Sequence, residues 1–169
     1  MHNIDTLFSS NKQDWTTPKE LFEELDHEFH FTLDPCSTHE NALCEKHYTK
    51  EDNGLSKMWK DEIVFCNPPY NKITEWADKC AVEHVLNNAT VVLLVPARTD
   101  TKWFHYSVVP FARSIRFIQG RLHFGGADRA PFPSMLVIYS KQKINLLDSV
   151  NSKIIEFICA GNLFSTVQM

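Results

Sequence analysis

An α/β fold is predicted for this 169-residue chain by three features: an apolar strand run leading into an amphipathic helix, a second strand apolar along its whole length, and a late run of strands with no helix between them. The sheet they imply is mostly parallel, with an antiparallel strand pair at its C-terminal side. At 43% hydrophobic the chain fills one core and is too short for two ordinary domains, so a single domain over residues 1–169 is expected, with its core at about 15–140.

Taken in order, Thr17-Pro18-Lys19-Glu20 offers a helix N-cap, a proline at the first helical position and a glutamate three residues after the cap. Leu21, Phe22, Leu25 and Phe29 then supply one apolar face. Residues 30–34 read as a short strand ending in Asp34 and broken by Pro35. Residues 37–61 are polar, with a helix compatible with 40–48. A strand over 63–66 follows, and Ile73, Trp76, Ala77, Cys80, Ala81 and Val85 recur at helical spacing across 72–86. The continuous run at 90–95 marks a strand buried on both faces. A loop and helix are expected over 100–108, then strands near 115–118, 121–124 and 135–139, with Ala130-Pro131-Phe132-Pro133 as an extended connection. Residues 145–169 read as a helix and a frayed tail. Ligands of such sheets bind beyond the carboxyl ends of parallel strands, so Asp34, Asn67 and Pro96 are expected to line one crevice.

No apolar run reaches the ~18 residues of a membrane span, and Met1-His2-Asn3-Ile4-Asp5 has no secretory pattern. A soluble, cytoplasmic protein is expected. Five cysteines, an odd number without a C-x-x-C pair, predict reduced and mostly buried thiols. The net charge of −4 argues against indiscriminate binding of nucleic acid, but the charge is segregated. Residues 1–62 carry 14 acids and 6 Lys/Arg, a balance of −8, whereas residues 98–129 carry 6 Lys/Arg and 2 acids, a balance of +4. Such segregation can build a local phosphate-binding face on an acidic protein.

The sharpest feature is Asn67-Pro68-Pro69-Tyr70, directly after the strand at 63–66. Two prolines stiffen the chain between an amide and an aromatic ring. The Asn67 oxygen and the Pro68 carbonyl can each accept a hydrogen bond from an exocyclic amine, and Tyr70 can stack on the ring that carries it. The rim therefore suits a planar amine. A second rim element is Asp34-Pro35-Cys36-Ser37, and a third is Trp15-Thr16-Thr17-Pro18.

These elements occur in order with Phe31-Thr32-Leu33-Asp34-Pro35, Asp52-Asn53-Gly54-Leu55, the segment from Leu94 to Thr101, and Gly120-Arg121-Leu122-His123-Phe124. Over roughly 15–139 the chain resembles the small phage and prophage DNA N6-adenine methyltransferases of the Dam type. The resemblance implies a Rossmann-like methyltransferase fold, in a shortened form, and S-adenosylmethionine as methyl donor. It implies that Asp34, Pro35, Cys36 and Ser37 form the cofactor loop, bordered by Asn67, and that Trp15, Thr17 and Pro18 cover the methionine or adenosine portion. For the acid that grips the ribose, Asp52 is favoured over Glu40 and Glu45. Asn67, Pro68, Pro69 and Tyr70 would hold an adenine flipped out of double-stranded DNA. Arg98, Arg121 and Arg129 would meet the phosphates. GATC as target and the host cytoplasm as location are further implications. The sequence departs from the wider methyltransferase fold in having no glycine between Asp34 and Glu40.

Competing readings remain at this point. Cys36, His39, Cys44 and His47 spell a zinc-like C-x2-H-x4-C-x2-H string, but its central spacer is short and Cys36 falls in the expected cofactor loop, so no metal is expected. An Asn-Pro-Pro-Tyr rim also serves enzymes that methylate RNA or a protein glutamine. A non-catalytic cofactor- or DNA-binding module is the third class.

Overall fold

The computed structural model describes residues 16–124 and 129–141, and the backbone of 154–158. Its elements are α1 (Lys19–Phe29), β1 (Ile63–Cys66), α2 (Ile73–Asn87), β2 (Thr90–Pro96), β3 (Ser114–Ile118), β4 (Ser134–Tyr139) and β5 (Ile154–Ile158). Short 3-10 turns at Gly54–Ser56 and Tyr70–Lys72 and a π-helical turn at Phe104–Val108 complete them.

The sheet order is β1-β2-β4-β3-β5. Only β1 and β2 pair in parallel, while β2–β4, β4–β3 and β3–β5 are antiparallel, so the expectation of a mostly parallel sheet is corrected to a mixed one. The reason is that β4 enters between β2 and β3 against their direction, turning what would be parallel neighbours into two antiparallel ladders. β1, β2 and β3 still run the same way. On the outer side of β1, Leu33 forms a parallel bridge with Val64. The expected strand at 30–34 is thus a two-residue edge rather than a full strand.

Side-chain alternation divides the core. Val91, Leu93 and Val95 of β2 face one side with Met135, Val137 and Tyr139 of β4, where they meet Trp76, Ala77, Cys80 and Ala81 of α2. Val92, Leu94, Leu136 and Ile138 face the other, against Leu21, Phe22 and Leu25 of α1. Each buried Val, Leu, Ile, Phe or Met among them contributes roughly 1.5–3 kcal/mol. Helix α2 ends where Asn88 takes φ 57°, a left-handed conformation that asparagine tolerates. The His84 imidazole, 3.0 Å from the Ala89 carbonyl, ties that end to the start of β2.

Three further expectations are corrected. Residues 40–48 form no helix, because Asp34 N–H donates to the Lys46 carbonyl and Tyr48 N–H to the Asp34 carbonyl, at 3.1 and 2.9 Å. Pairing with a distant strand end outweighs local helix propensity there. Residues 121–124 are irregular rather than a strand, with Phe124 packed into the α1-side core and Ala130 N–H donating to the Leu122 carbonyl. Where a C-terminal helix was expected, β5 pairs along β3; the rest of 145–169 lies outside the described residues.

Candidate active site

The carboxyl end of β1 carries Asn67, Pro68, Pro69 and Tyr70 directly into the 3-10 turn that opens α2. Beside it the chain folds back at Leu33–Asp34, and the two loops enclose a cavity of about 730 Å³, within the ~300–1,000 Å³ range of small-molecule sites. Thr17, Asp34, Pro35, Cys36, Ser37, Asn67, Pro68 and Pro69 all line it. Eight of the residues singled out from sequence therefore converge on one space. Pro96 is not among the lining residues and pairs with Ser134 in the sheet, so of the three strand ends expected at the crevice only Asp34 and Asn67 are found lining it.

Asp34 shapes the loop from inside. Its Oδ1 accepts the Cys36 N–H at 3.3 Å and its Oδ2 accepts the Leu43 N–H at 3.2 Å, closing residues 34–43 around one carboxylate. Burial raises its pKa above the usual carboxylate value, against the lowering effect of those N–H groups. Cys36 lies 3.8 Å from Cys66, sulfur to sulfur, and burial pushes both thiols up. His39 and His47 meet each other, 2.9 Å between ring nitrogens. Among the described residues no three His, Cys, Asp or Glu side chains are placed to hold a metal ion. The described cysteines, Cys36, Cys44, Cys66 and Cys80, are all free thiols, and burial pushes Cys44 up to about 12; Cys159 lies outside the described residues.

Gly54 is the glycine that the Asp34 loop lacks. A Cβ at position 54 would lie 2.0 Å from the Pro35 carbonyl oxygen and 3.3 Å from the Trp76 ring, so only glycine lets the 53–55 turn close against the loop. Asn53, Gly54 and Leu55 line the cavity, as do Thr49, Lys50, Lys72 and Trp76, none of which was singled out for the site individually. Their sequence signal was the Asn53-Gly54 turn alone. Asp52 stands outside the lining: its Oδ2 accepts both the N–H and the hydroxyl of Thr49 at 2.9 Å, an arrangement that lowers its pKa and holds the turn in shape.

Asn67 is held from two sides. Its Nδ2 donates to the Thr17 hydroxyl at 2.9 Å, and its Oδ1 accepts from the Tyr70 hydroxyl at 3.3 Å. Tyr70 is half-buried, its ring edge-on to Phe132 with centroids 5.4 Å apart, and burial raises its phenol pKa. The extended 130–133 connection thereby backs the aromatic side of the rim.

A family model described as DNA N-6-adenine-methyltransferase (Dam) matches residues 5–157. The chain belongs to this family. Among its relatives, the DNA N-6-adenine-methyltransferase of Haemophilus phage HP1 is 29% identical over 138 residues, covering 77% of this chain and 80% of that protein. The enzyme of the same description from Escherichia phage T1 is 36% identical over 92 residues, covering 53% of this chain. That match spans 38% of the length of the phage T1 protein. The resemblance read from the ordered motifs of the sequence is therefore borne out at the level of the Dam family.

The remaining Dam-family expectations fall as follows. Trp15 lies outside the described residues, and Pro18 is partly buried at the start of α1. Arg98, Arg121 and Arg129 are all exposed. Arg116, counted in the basic segment, is instead 2% exposed, with two 2.6 Å bonds to Glu28 of α1, and belongs to the core.

Proposed function

We propose that this chain transfers a methyl group from S-adenosylmethionine to the N6 amine of an adenine flipped out of double-stranded DNA. The observation that carries the reading is Asn67 at the carboxyl end of β1, on the wall of the cavity, with its Oδ1 turned toward Tyr70. Support for the fold it requires comes from the common direction of β1, β2 and β3, a Rossmann-like arrangement with β4 reversed between them.

The donor set fits the cofactor. The cavity has the right size class, and a buried polar atom of one lining residue, Trp76 Nε1, has no hydrogen-bond partner among the described residues. Asp34, Pro35, Cys36 and Ser37 would hold it from one side and Asn67 would border it on the other, with Trp15 and Pro18 nearby in sequence. When bound, S-adenosylmethionine supplies an electrophilic methyl group on a sulfonium. Asp52 would reach the ribose end with Oδ1, since Thr49 engages Oδ2 alone.

The adenine amine is a weak nucleophile because its lone pair is delocalised into the ring. Asn67 Oδ1 and the Pro68 carbonyl would accept its two N–H groups and favour a pyramidal nitrogen, exposing the lone pair that would form the N–CH3 bond as the S–CH3 bond breaks to a neutral thioether, with the surplus amine proton leaving to solvent after transfer. Pro68 and Pro69 keep these acceptors in place before the base arrives. Tyr70, backed by Phe132, would replace part of the stacking lost on flipping. Arg98, Arg121 and Arg129 would contact phosphates, and loops near 98–113 and 120–133 would read the site, for which GATC is the proposed sequence. The work of such an enzyme lies in the cytoplasm, where its DNA is; no helix among the described residues is long and apolar enough to cross a membrane.

Incubation with methyl-labelled S-adenosylmethionine and an equimolar mixture of duplex DNA, RNA and protein tests the substrate class. Label is expected in the duplex alone. Label confined to RNA or protein would transfer the same rim chemistry to another amine. Cofactor binding without any labelled product would favour a non-catalytic module.

A further inference from the structure

The N-cap reading of Thr17 leaves a question that the structure answers differently. Helix α1 begins at Lys19 with Pro18 as its cap residue and no side-chain cap bond, so the Thr17 hydroxyl is not spent on the helix. It is 7% exposed and lies 2.9 Å from Asn67 Nδ2, a bond across fifty residues of sequence that joins the approach to α1 with the end of β1. We propose that Thr17 is a positioning residue for Asn67: its hydroxyl accepts the amide N–H and thereby aims Oδ1 at the incoming amine. This rests on the methyl-transfer reading above, and it moves Thr17 from the cofactor wall, where resemblance put it, to the support of the reacting group.

The argument turns on the two ends of one amide. Hydroxyls donate or accept, so Thr17 and Tyr70 together accommodate Asn67 in either orientation. The substrate breaks the tie. A base stacked on Tyr70 approaches from the Tyr70 side, and an amine offering N–H groups needs an oxygen there and not a second donor. Oδ1 must then face Tyr70, which obliges Nδ2 to find an acceptor on the opposite side. Thr17 Oγ1 is that acceptor. Burial sharpens the requirement, because an amide N–H left without a partner in this wall carries a desolvation cost that a flipped amide would relieve by pointing its oxygen the wrong way.

Thr17→Val keeps the shape and deletes the acceptor, whereas Thr17→Ser keeps the acceptor. With cofactor and duplex saturating, Thr17→Val is expected to slow single-turnover methyl transfer by roughly 10- to 100-fold while the cofactor dissociation constant moves by less than about twofold. Thr17→Ser is expected to restore the rate to within about threefold of wild type. The Asn67 side-chain amide, observed by nitrogen-edited NMR, gives a readout that needs no activity. One of its two proton resonances should be displaced from its free-amide position by the bond to Thr17 in the wild type and in Thr17→Ser, and return toward that position in Thr17→Val. A wild-type amide already at free-amide positions would overturn the proposal even if Thr17→Val failed to fold. So would a Thr17→Val protein with weakened cofactor binding and an unchanged transfer rate, which would return Thr17 to the cofactor wall. A wild type that methylates no DNA yet shows the bonded amide would instead count against the substrate reading and leave the positioning bond standing.

Discussion

At the scale of single residues, the proposed reading gives the two anchors of the cavity separable duties. Asp34 spends both carboxylate oxygens on the N–H groups of Cys36 and Leu43 and so closes the loop around itself, while Asn67 turns its Oδ1 toward Tyr70. Replacing Asn67 with alanine is expected to lower turnover by about 100-fold or more, about 2.7 kcal/mol of barrier, with cofactor affinity nearly unchanged. Asp34→Ala is expected to do the reverse, weakening the cofactor first because the loop loses its internal acceptor. Titration calorimetry beside single-turnover rates checks both; loss of cofactor binding in Asn67→Ala with normal binding in Asp34→Ala would exchange the roles. The motif itself was legible because Asn67-Pro68-Pro69-Tyr70 is local: its geometry is set by proline and by the strand it ends. The partnership of Asn67 with Thr17 was not, since nothing in a Thr-Pro pair announces a bond to a residue fifty positions away.

At the scale of elements, α1 and α2 were legible from periodicity, and their boundaries shifted only by a residue or two. What local reading missed are places where a distant partner decides. Asp34 draws residues 43–48 into pairing and cancels a helix; β4 inverts the sheet's local direction by inserting between β2 and β3; Glu28 recruits Arg116 from what looked like a phosphate-binding run. The last of these predicts that Glu28→Ala removes the carboxylate paired with a buried guanidinium and costs about 3 kcal/mol in urea unfolding, reduced somewhat by the partial exposure of Glu28, with DNA affinity per folded molecule unchanged. The end of α2 supplies a pH test. Burial lowers the His84 pKa below its usual value, so the unfolded chain takes up its proton first as pH falls. Its contribution to stability is full above the unfolded value of about 6.5 and is lost as pH drops from there through the lowered folded value. His84→Gln should flatten that part of the stability-against-pH curve, and an unchanged slope would show that another group is responsible.

At the scale of the whole molecule, a chain of net charge −4 must still find a polyanion. Removing Arg116 from the basic run leaves Arg98, Arg121 and Arg129 exposed, together with Lys102, on loops and turns after β2 and β3. Neutralising any one of the three arginines is expected to weaken binding to every duplex alike and to flatten the salt dependence by roughly one unit of slope, if each meets one phosphate. An arginine that reads a guanine would instead relax preference at one position, at about 1–3 kcal/mol of discrimination. Salt titrations on matched and mismatched duplexes separate these outcomes, and three unchanged slopes would place the DNA on another face. The most direct test of the account is nucleoside analysis of duplex DNA after incubation with S-adenosylmethionine and either wild type or Asn67→Ala protein. Wild type should yield N6-methyldeoxyadenosine and Asn67→Ala almost none; unmodified adenine with both proteins, or methylation on another base, would contradict it.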